Sequence, residues 1–127
     1  MGRTDDGRFR FVVPLCDGET VSSIEVQEHQ AGRLVWKASQ PARPEERNGA
    51  IVFGDAGGFT NQETPPQEPL PSNISVSVEL SNGISVGRGF LLNETPEQFA
   101  GSGQVRDFDG KMISDDEFRR QVTAEYC

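Results

Sequence analysis

The sequence predicts an antiparallel β-sandwich closed by a C-terminal amphipathic α-helix. Three observations carry that expectation. Short runs with apolar side chains at alternate positions recur about every ten residues. The turns between them are too short for the crossover helices that parallel strands need. A helical period appears clearly only in the last dozen residues. The 127 residues suit one domain. Its expected parts are a flexible N-terminus (1–7), the sandwich (8–92) and a C-terminal extension (93–127) holding a helix at 115–125.

In chain order, Phe9, Phe11, Val13 and Leu15 lie on one side of a first strand. Pro14 cannot donate a ladder bond, which predicts a sheet edge or a frayed end. Asp17-Gly18 turns the chain into a second strand over 21–28, with Ile24 and Val26 facing inward. After Ala31-Gly32, Leu34, Trp36 and Ala38 define a third, and Trp36 is the expected core anchor. "QPARPEERNG" (40–49) reads as loop, 50–53 as a short strand, and 55–71 as a long segment without period. Loops of that length are uncommon in compact domains and often functional.

The segment 73–90 forms a hairpin around Asn82-Gly83. A two-residue turn would set Leu80 beside Ser85. A three-residue loop pairs Leu80 with Ile84 and Val78 with Val86, and puts Gly83 at the left-handed bulge position. The bulged form places Ile74, Val76, Val78, Leu80, Ile84, Val86 and Phe90 on one face. Further on, Thr95-Pro96-Glu97-Gln98 predicts one helical turn and 105–108 a last strand. Ser114-Asp115-Asp116-Glu117 is a fuller capping box. Ile113 and Phe118 are placed as its hydrophobic staple, and Phe118, Val122 and Tyr126 follow at spacing four. An immunoglobulin-like arrangement suits this strand pattern, with Trp36 on the third strand. The flanking cysteines and tyrosine corner of that fold are missing, because Tyr126 is the single tyrosine.

Charge narrows the partners. Twelve basic residues stand against twenty acidic, a net −8, which repels phosphate backbones. Arg3, Arg8 and Arg10 are interleaved with Asp5 and Asp6, and Arg43 and Arg47 with Glu45 and Glu46. No basic patch results, so nucleic acid is not an expected partner. No apolar run approaches the ~20 residues of a membrane helix, and the N-terminus lacks the apolar stretch of a signal peptide. The default expectation is cytoplasmic, with no membrane contact. Met1-Gly2 fails as a myristoylation start because Asp6 stands where Ser or Thr is required.

Several chemistries come close and fail. "GISVG" (83–87) matches the nucleophile elbow, but Ser85 is followed by a strand and the lone His29 lies upstream. "GDAGGF" (54–59) resembles the "GDSGG" stretch of trypsin-like proteases, with Ala56 where the nucleophile belongs. "DFDGKMISDDEF" (107–118) resembles a calcium loop, yet Val105 takes the first ligand position and Asp116 the last. Neither His29 nor the two cysteines have zinc-ligand neighbours. No metal or cofactor is expected. Asn73-Ile74-Ser75 and Asn93-Glu94-Thr95 are glycosylation sequons that matter only in a secretory setting.

What remains is a non-enzymatic binding or protein-interaction module presenting 40–49 and 55–71. Phe59, Pro65, Pro66, Leu70, Arg43 and Arg47 are the candidate contacts, and Phe59 equally suits a plug in the core. The alternative is an acidic antagonist, or immunity-type protein, neutralising a basic partner; a small hydrolase and a weak calcium binder rank below both. Cys16 and Cys127 are the only thiols. A bridge between them would imply an oxidising compartment. At 100° per residue Cys127 points away from the helix's apolar face, so a bridge requires the last turn to fray.

Overall fold

The computed structural model describes residues 2–3, 8–13, 15–55, 57–66, 71–91, 104–106 and 111–127. The first part of the calcium-loop-like segment (107–110), the short helical turn at 95–98, the second sequon and Leu70 lie outside them.

The described strands are β1 (Gly2–Arg3), β2 (Phe9–Val12), β3 (Val21–Glu28), β4 (Leu34–Pro41), β5 (Ala50–Val52), β6 (Phe59–Thr64), β7 (Asn73–Leu80), β8 (Ser85–Leu91), β9 (Gln104–Arg106) and β10 (Met112–Ser114). The helices are α1 (Pro44–Arg47) and α2 (Asp115–Tyr126). All pairings are antiparallel. One sheet runs β1-β2-β5, the other β6-β4-β3-β7-β8, and β9-β10 is a separate ribbon.

The main core fills the space between the two larger sheets. Phe11 and Val13 come from the β2 segment and Ile51 and Phe53 from β5, against Ile24, Val26, Trp36, Ala38, Phe59, Ile74, Val76 and Val78. Trp36 is fully buried and meets Phe53 and Phe59 edge-on, with ring centroids 5.4 and 5.7 Å apart. Its indole N–H donates to Gln62 Oε1 at 3.2 Å, so the buried donor is satisfied. On β4, Leu34 pairs with Gln27 and Trp36 with Val26. Val35 is thus the extra residue of a bulge, which explains why it is buried beside its neighbour.

The hairpin has the expected register: Val78 pairs with Val86, the Leu80 N–H donates to Ile84 O, and Gly83 sits at φ 86°. Ile84 is 54% exposed rather than inward, because it lies in the turn between β7 and β8.

Of the two expectations for the first strand, the frayed end is the one met: β2 is the middle strand of its sheet rather than an edge, and it ends at Val12 before Pro14. Gly2 and Arg3 pair with Arg10 and Phe9 as β1. One further expectation needs correction. Within 55–71, residues 59–64 form β6, the edge of the larger sheet, paired along β4.

Both faces of β2 are covered. Phe11 points to the main core, while Val12 joins Phe118, Val122 and the half-buried Ile113 in a second cluster beneath α2. The Ser114 hydroxyl accepts from the Glu117 N–H at 3.1 Å, the predicted cap. Cys16 and Cys127 sit with sulfurs at disulfide distance, 1.99 Å, and Cα atoms 5.6 Å apart. Cys127 lies just past the last helical residue, so it is free of the helical direction that opposed the bridge. Among the described residues no helix is long and apolar enough to cross a membrane.

Candidate functional site

Residues 40–49, expected as loop, contain one helical turn. Pro44 opens α1, where its missing N–H and fixed φ are favourable, and Glu45 and Glu46 occupy the first turn. Gly49 ends the turn at φ 89°, and its carbonyl accepts from the Val13 N–H at 2.9 Å. A Cβ there would lie 2.9 Å from the Val13 carbonyl oxygen. Glycine is therefore required for α1 to dock against the end of β2.

Glu46 is buried, 3% exposed, with a guanidinium to balance its charge. Arg43 Nε donates to Glu46 Oε1 at 3.1 Å, and Arg43 Nη2 donates to the same oxygen and to Asp55 Oδ2, each at 2.5 Å. Asp55 Oδ1 accepts from the Gly57 N–H at 3.1 Å. Gly58 makes room, since a Cβ there would lie 2.9 Å from Glu46 Oε1. The Ala42 N–H donates to Gly58 O at 2.9 Å. Gly58 therefore lets the turn that Asp55 begins lie close against α1.

The electrostatics follow from these contacts. The Arg43 guanidinium is raised above its ordinary value, chiefly by its hydrogen bonds to Glu46 and then Asp55. Burial alone would raise the Asp55 carboxyl. The hydrogen bonds from Arg43 and Gly57 and the charges of Arg43 and Arg8 outweigh that effect and hold it below its ordinary value.

A second arginine forms the opposite wall. Arg10, in register with Val52, is only 7% exposed. It grips Asp115 at the start of α2 in a two-pronged contact: Nη1 to Oδ2 at 2.9 Å and Nη2 to Oδ1 at 2.6 Å. Between the walls lies a pocket of about 310 Å³. Ala50, Ile51 and Val52 contribute its apolar lining, and Arg10, Arg43, Glu45, Glu46 and Asp55 its charge. Arg10 is neutralised by Asp115 and one Arg43 serves two carboxylates, so the balance is negative, with Glu45 exposed at the rim.

Of the sequence-predicted contacts, Arg43 belongs to this pocket and Arg47 is exposed on the last residue of α1, outside the lining. Phe59 is 4% exposed, packed against Trp36. Its place is in the core, the plug of the two alternatives the sequence offered. Pro65 is exposed and Pro66 half-buried after β6. Leu70 falls outside the described residues. Sequence reasoning missed Arg10, Glu45, Glu46 and Asp55 as a group. Proline ahead of two acids was a legible helix start for "PEER", whereas nothing local marked Glu46 for burial.

Ser85 opens β8 and is followed by strand, so no elbow forms. His29 Nδ1 lies 2.8 Å from Ser75 Oγ, an exposed contact on the sheet surface, and neither residue lines the pocket. Asp115, Asp116 and Glu117 occupy the first turn of α2. Among the described residues no three His, Cys, Asp or Glu are grouped to hold a metal ion. Compared with known proteins, the chain matches no family model, no curated protein and no solved structure.

Proposed function

We propose that this protein is a non-enzymatic protein-interaction module that engages a basic partner through the surface where α1 meets the 55–58 turn. One observation carries the reading: the two segments without sequence period converge, across β5, on a single concave site whose carboxylates outweigh its cations. The net charge of −8 acts in the same sense by steering a cationic partner toward the surface.

The test uses a fluorescent peptide of glycine alternating with lysine and arginine. Binding measured at low ionic strength is expected to weaken steeply toward ~150 mM salt, where the screening length is about 8 Å. Glu45→Lys, an exposed change at the rim, is expected to weaken it further. Absence of binding at low salt, or indifference to Glu45→Lys, would count against the reading. The Cys16–Cys127 pair supports an oxidising setting for the module. Intact mass of protein made in oxidising and in reducing compartments tests that, with retention of two free thiols under oxidation the contrary result.

A further inference from the structure

We infer that the pocket between Arg10 and α1 takes a lysine side chain in preference to arginine. This rests on the proposed engagement of a basic partner and names the anchor that would enter. The pocket joins an apolar floor, Ala50 and Val52, to charged walls. That combination matches a long cationic side chain, whose methylene stem lies along apolar surface while its head meets carboxylates.

The carboxylates already in use decide between the two cations. A guanidinium gains most from a carboxylate presenting both oxygens in one plane for two parallel bonds. Glu46 already holds Arg43 in that manner, with Nε donating to Oε2 at 3.3 Å and Nη2 to Oε1 at 2.5 Å. Asp55 has Oδ2 engaged by Arg43 and Oδ1 by the Gly57 N–H. The acceptor capacity left on these two walls is single lone pairs pointing from different side chains. Three rotatable donors on a compact ammonium satisfy such an arrangement, whereas a rigid planar fork does not.

Three peptides of equal length test the idea by fluorescence anisotropy: glycine alternating with lysine, with arginine, and with acetyl-lysine. The lysine peptide is expected to bind about tenfold more tightly than the arginine peptide, a difference of about 1.4 kcal/mol. The acetylated peptide, uncharged but similar in shape, is expected to lose binding. Ala50→Leu fills the floor and is expected to erase the lysine preference, with Trp36 emission reporting that the core is intact. Should that variant not fold, Glu45→Gln at the exposed rim is expected to weaken the lysine peptide.

The two readings fail separately. If no cationic peptide binds, the proposed function falls and the anchor with it. If lysine and arginine peptides bind equally, or arginine binds better, the module still engages a basic partner and the lysine anchor is wrong. A lysine preference that survives Ala50→Leu in folded protein places the selectivity elsewhere and overturns the assignment to this pocket.

Discussion

Removing the carboxylate of Asp115 should destabilise the fold by about 2–4 kcal/mol, because it breaks a two-pronged, charge-assisted contact to a largely buried guanidinium. The Arg10 side chain is 9% exposed and that of Asp115 23%. Asp115→Asn keeps the shape and removes the charge, leaving one amide oxygen to accept where two carboxylate oxygens did. Breaking a buried pair of this kind costs about 3–5 kcal/mol, and hydrogen bonds to charged groups are worth about 1.5–3 each. Water access at Asp115 lowers the upper figure. Its position in the first turn of α2 adds about 0.3–1 kcal/mol of dipole interaction that does not involve Arg10. A double-mutant cycle separates the two contributions. Against an Arg10→Met background, Asp115→Asn should cost only the dipole part, about 1 kcal/mol or less. Urea denaturation followed by Trp36 fluorescence supplies the four free energies. Equal costs of Asp115→Asn in both backgrounds would refute the reasoning, because the pair would then hold nothing together.

Four further outcomes follow from the geometry. Replacing Cys16 and Cys127 together by serine should lower stability by about 4–5 kcal/mol, the loop entropy for a separation of 111 residues; a drop in urea midpoint worth under about 1 kcal/mol would contradict it. Gly49→Ala should cost more than about 2 kcal/mol, since a left-handed backbone and a 2.9 Å approach to the Val13 carbonyl coincide there. Gly18→Ala, also left-handed but in open space, should cost only about 1–2 kcal/mol by the same unfolding measurement. Phe59→Ala should cost about 3–5 kcal/mol, as expected for a core aromatic; a near-neutral result would return Phe59 to the surface. The fourth concerns pH. The folded Asp55 carboxyl is depressed, so its contribution is full above the unfolded value of 3.8 and is lost as pH falls through the lower folded value. Arg43→Gln should flatten the fall of urea midpoint below about pH 4, and an unchanged acid limb would show that the Arg43–Asp55 contact is not what protects the fold there.

The elements that were legible in the sequence are those with one wet face and one dry face. Strands β3 and β7 alternate cleanly because they sit mid-sheet with solvent on one side, and α2 carries its cap and staple in adjacent residues. The strand β6 was hidden for the opposite reason: at the sheet edge only Phe59 is buried among the apolar residues, and "TNQET" is polar on both sides. Reading Phe59 as either plug or contact was as far as the pattern went, and Trp36, distant in sequence, decides it. Arg10 occupied an outward position that alternation assigns to solvent, and only the arrival of α2, 105 residues later, buries it. Glu46 is similar. A four-residue helix has no period to read, and the burial of its acid depends on Gly58 lying close by. The candidate site was therefore half visible: its two segments stood out by lacking period, while their convergence belongs to tertiary structure.

The bond between Cys16 and Cys127 turns most of the chain into a covalent ring from which the first residues emerge as a tail. A single proteolytic cut within that ring leaves both pieces attached, so nicking there would not by itself shed α2 or any strand from β3 to β8. Tension applied between Met1 and Cys127 would enter through the tail and leave through the sulfur bridge, bypassing the larger sheet. Within that span the residues before Cys16 would lengthen, and they include β2, the strand that carries side chains into both hydrophobic clusters. Under force the molecule would resist as far as β2 holds its place between α2 and the core.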